Sequence, residues 1–555
     1  MEDLLKKILD YQKSLFDETP LPVSDRPIEQ FEQMIACDDG VRLRTMFWLP
    51  EAEEPLPTVV IRSCYPGMEP MLVQRAEEFA KRGFGFVLQW CRGTGGSEGE
   101  WEPNIYDRAD GLRLMQNLQE DGRIGNIGYW GDSYLAFTGW VMADAVPDKV
   151  KTMYLGVYGC DRYTSAYKDG LFRQDILTAW AMDNAGRPVE ADYMESAAYR
   201  PQVEVDEALW GGRLNWYRDW ITNTDRGSAY WSSGFWKDLM DIPGKIRIPL
   251  FIKEGWYDHH LGSALVTYQL LAEGSKAHSM LEIGPWNHSY RPAVVHQSLE
   301  NLKDTSISSP LMWFWRILKE EELPEQTIRR FVIGDDRWSE YTPATQPKTE
   351  ICRFWLDGKK LVTEAPAEEG SVTYTYDPKD PVLSYGAESL FKTMDKVGSL
   401  LQEGPDRRPD IKSFISDPLE KELTINGPIH VRLFVSSDAE DTSFTAKLME
   451  VFPDGETVNI RGSITTLAYR NGRTVRGTYT PGEKVDIDIE MWDISWKTQK
   501  GSRLRLDISS SDFPQYSVHP NVTGAWSLAK ETRTAEQTVY TGKELPSCVE
   551  LPVVQ

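Results

Sequence analysis

The chain has 555 residues, 41% hydrophobic and 26% charged, and a formal net charge of −24. That length exceeds what one hydrophobic core holds and predicts about two to four domains; the composition excludes disordered, collagenous and short-repeat classes. A surface this negative repels phosphate backbones and anionic headgroups, so neither nucleic acid nor a membrane is expected as a partner, while a homo-oligomer stays compatible with it.

No segment approaches the roughly 20 consecutive apolar residues of a membrane span. The opening Met1-Glu-Asp-Leu-Leu-Lys-Lys-Ile-Leu-Asp lacks the basic region and apolar run of a signal peptide. Instead Leu4, Leu5, Ile8, Leu9, Leu15 and Phe16 recur at helical spacing. They predict an amphipathic helix lying on the body of the protein, within an N-terminal extension over residues 1–30.

Residues 31–150 alternate short apolar runs with helical stretches. Pro57-Thr-Val-Val-Ile-Arg and Gly83-Phe-Gly-Phe-Val-Leu-Gln-Trp read as buried strands, with Leu72 to Arg82 helical between them. Asp107 to Asp121 reads as helix, Ile127-Gly-Tyr-Trp-Gly as a strand ending in a turn, and Phe137 to Ala145 as the next helix. Strand and helix in alternation predict a parallel sheet of the α/β class. Over 151–236 strand signals vanish and Trp and Tyr become dense, as in Leu209-Trp-Gly-Gly-Arg-Leu-Asn-Trp-Tyr-Arg-Asp-Trp. This predicts a helical cap inserted into the sheet domain, able to roof a pocket. The sheet resumes over 237–345 with Ile248-Pro-Leu-Phe-Ile-Lys and Ser279-Met-Leu-Glu-Ile. Residues 346–555 alternate inward and outward positions, as in Ile429-His-Val-Arg-Leu-Phe-Val, between turns such as Pro453-Asp-Gly. They predict an all-β sandwich or jelly roll.

Ser133 stands in Gly131-Asp-Ser-Tyr-Leu-Ala, between a predicted strand and a predicted helix. A serine on such a bend exposes its hydroxyl as in a nucleophile elbow, although a helix-capping serine fits the local pattern equally. A serine hydroxyl needs a base, and the base an orienting carboxylate. Gly255-Trp-Tyr-Asp258 and Gly284-Pro-Trp-Asn-His288 supply both, each just past a predicted strand, in the chain order of α/β-hydrolases. Ser133, Asp258 and His288 are therefore the expected catalytic residues.

These motifs, with Arg92-Gly-Thr-Gly-Gly-Ser-Glu-Gly, Ser443-Phe-Thr-Ala-Lys-Leu, Ser509-Ser-Ser-Asp-Phe-Pro and Glu536-Gln-Thr-Val-Tyr, resemble the cocaine-esterase/X-Pro dipeptidyl-peptidase-like (CocE/NonD-type) serine hydrolases over nearly the whole chain. The resemblance implies an α/β-hydrolase fold with a helical cap and a C-terminal jelly roll. It also implies an oxyanion hole from the backbone N–H of Tyr134 and the phenol of Tyr65. Two departures stand out. Ala136 replaces a usual glycine, and Trp90 falls where the family has Asp before Arg92, which removes the salt bridge expected at that corner.

Gly93-Thr-Gly-Gly-Ser-Glu-Gly has neither dinucleotide-loop spacing nor a Walker lysine and reads as a structural loop. His259 and His260 adjoin Asp258, but adjacent residues on one loop rarely converge on an ion, so no metal is expected and the two histidines are candidates for the pocket wall. No organic cofactor is needed either. Six cysteines without a C-x-x-C pair indicate neither a zinc knuckle nor a disulfide framework. A glycan on Asn287-His288-Ser289 would crowd the base. Both point to the cytoplasm. The expected function is hydrolysis of a small acyl substrate, ester or amide. A dipeptidyl-peptidase-like (X-Pro type) enzyme or an α-amino-acid ester hydrolase or acylase is the alternative, and a catalytically silent ligand- or glycan-binding protein the rival from another class.

Overall fold

The computed structural model describes residues 2–388 and 390–555. Helix α1 (Glu2–Asp17) precedes an antiparallel pair, β1 (Ile28–Ala36) and β2 (Arg42–Pro50). Then come β3 (Leu56–Ser63), α2 (Glu69–Lys81), β4 (Gly85–Trp90), α3 (Asp107–Glu120), β5 (Ile124–Asp132), α4 (Tyr134–Trp140) and β6 (Val150–Gly156). The chain next leaves the sheet for short helices, including α5 (Arg162–Ala166) and α6 (Gln174–Asp183), with a minimal hairpin of β7 (Tyr167–Lys168) and β8 (Leu171–Phe172). It returns as β9 (Leu250–Tyr257), β10 (Met280–Asn287), β11 (Thr327–Val332) and β12 (Arg337–Tyr341).

The sheet order is β1-β2-β4-β3-β5-β6-β9-β10-β11-β12, with β4, β3, β5, β6, β9, β10 and β11 parallel. Every residue of β4 and of β9 is buried, as parallel strands covered by helices on both faces require. After β3 the chain adds β4 on one side and then crosses to add β5 on the other. The carboxyl ends of β3 and β5 therefore flank a crevice at the switch point of the sheet, where open α/β sheets bind ligands.

Four sequence expectations need correction. The inserted segment begins beyond Gly156 and not at 151, because Val150–Gly156 is strand β6, paired in parallel between β5 and β9. The amphipathic helix forms, but Leu4 and Ile8 are exposed; the half that docks carries Leu15 and Phe16, with Phe16 edge-on to Phe79 of α2 at 6.0 Å. Strands β9 and β10 continue past Lys253 and Ile283 to Tyr257 and Asn287, because pairing resumes at Tyr257–Asn287 beyond an irregularity after Gly284. Helix α4 begins at Tyr134 and ends at Trp140, short of Ala145, as turns take over near Pro147.

Eleven further strands, from Thr349–Asp357 to Cys548–Val554, build a second, all-β domain. Its longest strand, Thr424–Ser437, alternates buried and partly exposed residues along most of its length and pairs with Val485–Lys497 along one edge. This domain also anchors the inserted segment. The first N–H groups of α6, which have no partner within the helix, donate from Gln174 to the carbonyl of Gln515 at 3.1 Å and from Asp175 to that of Pro514 at 2.8 Å.

Candidate active site

Ser133 lies between β5 and α4 with φ 57° and ψ −127°, a left-handed conformation unusual for a non-glycine residue. Gly131 makes that bend achievable. A Cβ there would stand 2.1 Å from the carbonyl oxygen of Leu135, so no larger residue lets the helix turn back this closely on the strand. The Ser133 N–H donates to Gly156 of neighbouring β6 at 2.9 Å, which fixes the bend to the sheet.

His288 follows β10 and Asp258 follows β9, so parallel neighbours bring both to the edge where β5 ends. His288 Nε2 is 2.9 Å from Ser133 Oγ and His288 Nδ1 is 2.5 Å from Asp258 Oδ2. Asp258 is fully buried, and its other oxygen accepts the His260 N–H at 2.6 Å. Burial pushes the His288 imidazole towards neutrality, the Asp258 carboxylate pushes it towards the charged form, and the net direction is up. Tyr290, two residues beyond the histidine, donates its hydroxyl to Asp132 Oδ1 at 2.7 Å and ties the histidine loop to the serine bend.

Tyr65 follows β3 across the crevice. Its phenol oxygen accepts the Trp180 indole N–H at 3.0 Å, a bond that does not use the hydroxyl proton. Burial holds its pKa well above the usual phenol value, so that proton stays on. The Tyr134 N–H, at the first position of α4, has no carbonyl within the helix to meet. The Tyr134 ring is fixed from both directions: its hydroxyl donates to Asp107 Oδ2 at 2.7 Å and accepts the Asn104 N–H at 2.7 Å.

Ser133, His288, Tyr65 and Tyr134 open into one cavity of about 360 Å³. Trp180, Ile176, Leu177 and Trp220 of the inserted segment, with Phe391 from beyond it, supply much of its apolar wall.

Comparison with known proteins agrees with this architecture. Residues 39–290 match the X-Pro dipeptidyl-peptidase (S15 family) domain, and residues 322–550 the X-Pro dipeptidyl-peptidase C-terminal non-catalytic domain. Cocaine esterase from a Rhodococcus species is 29% identical over 94% of this chain and 98% of its own. The chain belongs to the cocaine-esterase/X-Pro dipeptidyl-peptidase-like family of serine hydrolases. An aminopeptidase from a Thaumarchaeota archaeon and an α-amino acid ester hydrolase share the family fold. Each has a TM-score of 0.80, at 20% and 21% identity, covering 97% and 96% of this chain and 98% of each of theirs.

Where the chain departs from the family pattern, the structure shows the compensation. Trp90 fills the space over Gly95, where a Cβ would stand 2.2 Å from the indole. Arg92 pairs instead with Asp110 at 2.7 Å and Asp39 at 2.6 Å, so the corner keeps its ion pairs from other segments. Asp258, His259 and His288 bring ligand atoms within 4.8 Å of one another. At 2.5 Å, however, Asp258 Oδ2 and His288 Nδ1 are too close for an ion to bridge them with ordinary metal–ligand bonds of about 2 Å. His259 and His260 both line the cavity, and burial holds both well below the usual imidazole pKa, so they stay neutral. Sequence reasoning did not single out Trp180, Arg162 or Phe391. Their segments carry no motif, and aromatic density over 151–236 was the one available signal. No helix among the described residues is long and apolar enough to cross a membrane.

Proposed function

We propose that the chain hydrolyses an ester or amide of a small acyl substrate through an acyl-enzyme on Ser133. The carrying observation is the unbroken line from Asp258 Oδ2 through His288 to Ser133 Oγ, at 2.5 and 2.9 Å, ending in the cavity. Asp258 holds the Nδ1–H tautomer, which leaves Nε2 to take the serine proton as Oγ attacks the carbonyl carbon. The oxyanion then receives hydrogen bonds from the Tyr65 hydroxyl and the Tyr134 N–H. The tetrahedral intermediate collapses, the bond to the leaving oxygen or nitrogen breaks, and His288 returns the proton to that atom. Water, activated by the same histidine, adds to the ester on Ser133 and releases the acid with the serine restored.

A dipeptidyl-peptidase-like activity needs carboxylates free to hold a substrate ammonium. The carboxylate lining this cavity among the described residues, Asp183, is engaged by Lys392 at 2.9 Å, which favours the esterase or amidase reading. Fluorophosphonate labelling of wild type and Ser133→Ala tests the chemistry. Labelling that disappears in the variant is expected; equal labelling of both proteins overturns the assignment.

A further inference from the structure

The proposed chemistry leaves two charged groups of the cavity wall unused: Asp183, which Lys392 already engages at 2.9 Å, and an arginine without such a partner. Arg162, at the start of α5, lines the cavity with Ser133 and His288 and is 6% exposed. Its guanidinium carbon lies 4.6 Å from the centre of the Trp220 ring, so one face is covered by an aromatic. Its edge donates a hydrogen bond to the neutral Tyr158 but, among the described residues, meets no charged partner. The buried Nε–H has no acceptor, and among the described residues no carboxylate pairs with the guanidinium. The adjoining Asp161 is committed to Arg226 at 2.6 Å, and the nearby buried Arg173 to Glu388 at 3.1 Å. Tyr158, on the same wall, offers a phenol kept neutral by burial. A buried arginine is ordinarily met by a carboxylate, because an unmatched charge out of water is costly.

We propose that Arg162 is the specificity-determining residue for a carboxylate carried by the substrate. The preferred substrates are then esters or amides whose acyl chain bears an anionic group away from the scissile carbonyl. A guanidinium already stacked on Trp220 presents its N–H edge at little further entropic cost, and a carboxylate accepts two such bonds side by side. His259 and His260, both neutral, add no competing positive charge. The net charge of −24 does not oppose this at contact range, since repulsion from the outer surface is screened over about 8 Å in physiological salt. The inference rests on the acyl-hydrolase reading for its chemistry but not for its recognition step.

The test separates the two. Hydrolysis of mono-p-nitrophenyl adipate is compared with that of p-nitrophenyl hexanoate, which has the same acyl length without the terminal carboxylate. Wild type is expected to favour the adipate by about tenfold or more in kcat/KM, and Arg162→Gln to collapse that ratio by about tenfold or more, to near one or below. Arg162→Lys should restore part of it. Binding of adipamate and hexanamide to the Ser133→Ala protein, followed by Trp180 and Trp220 fluorescence, gives a readout that needs no turnover. Esters hydrolysed without preference for adipate, or a ratio unchanged in Arg162→Gln, overturn the proposal and leave the Ser133 chemistry standing. Arg162-dependent binding of adipamate over hexanamide without hydrolysis of either ester supports the proposal and overturns the acyl-enzyme reading. Should Arg162→Gln fail to fold, a wild-type preference for hexanoate over adipate overturns the proposal by itself.

Discussion

The crevice has two walls of different construction. On the sheet side, Ser133, Asp258 and His288 each stand one residue beyond a parallel strand, and each polar atom meets a partner at hydrogen-bond distance. On the cap side, Trp180 and Trp220 belong to short helices that need other segments to hold them, and Arg162 keeps a buried Nε–H without an acceptor. The sheet side is therefore suited to chemistry common to many acyl bonds. The cap side is suited to choosing among them. Contacts from Pro514 and Gln515 to α6 show that a domain whose family description is non-catalytic still shapes the second wall.

Substitutions on each wall sharpen this contrast. The largest expected effect is on the sheet side: Asp258→Asn should lower kcat by roughly 10⁴-fold by favouring the wrong His288 tautomer. Its pH profile should move as well. In wild type burial is the largest single influence on His288, but the charge and hydrogen bond of Asp258, with the charge of Asp132, together outweigh it, so the acid limb of kcat/KM lies above the ordinary imidazole value of about 6.5. In the variant burial is opposed only by the more weakly acting Asp132, and the limb of the residual activity shifts to lower pH. An unmoved limb would detach His288 from the base role.

Tyr65→Phe comes next, with kcat down ~10²–10³-fold and KM little changed, because the lost donor acts on the oxyanion and not on the bound substrate. Comparable losses in binding alone would place Tyr65 in the substrate pocket only. Trp180→Phe probes the joint between the walls. It removes the indole N–H that fixes the Tyr65 hydroxyl, and a loss of about fivefold to tenfold in kcat is expected, absent in the Tyr65→Phe background.

The smallest effect concerns Glu254, buried on β9 beneath Asp258. Burial first, and then the Asp258 charge, raise its pKa well above the carboxylate range. The raised folded value means its contribution is complete below the unfolded pKa of about 4.5 and declines as pH climbs towards the folded one. Glu254→Gln should therefore match wild type in thermal stability near pH 5 and exceed it near pH 8. A Tm difference that is the same at both pH values contradicts a protonated Glu254.

The strands and the three strand-end residues were legible because they depend on short-range rules. Parallel strands buried on both faces leave continuous apolar runs, and a residue following such a run is delivered to the sheet edge whatever lies elsewhere. The order Ser133, Asp258, His288 survives in the sequence because one sheet gathers successive strand ends on one side. Strand order, the exposure of Leu4 and Ile8, the Trp180 bond to Tyr65 and the position of Arg162 were decided by tertiary structure. Each depends on segments distant in the chain meeting across the crevice, and solvent exclusion there gives an unmatched guanidinium its significance. Local pattern carries no record of which side chains share a cavity, since that is fixed by packing between elements and not by the period within one.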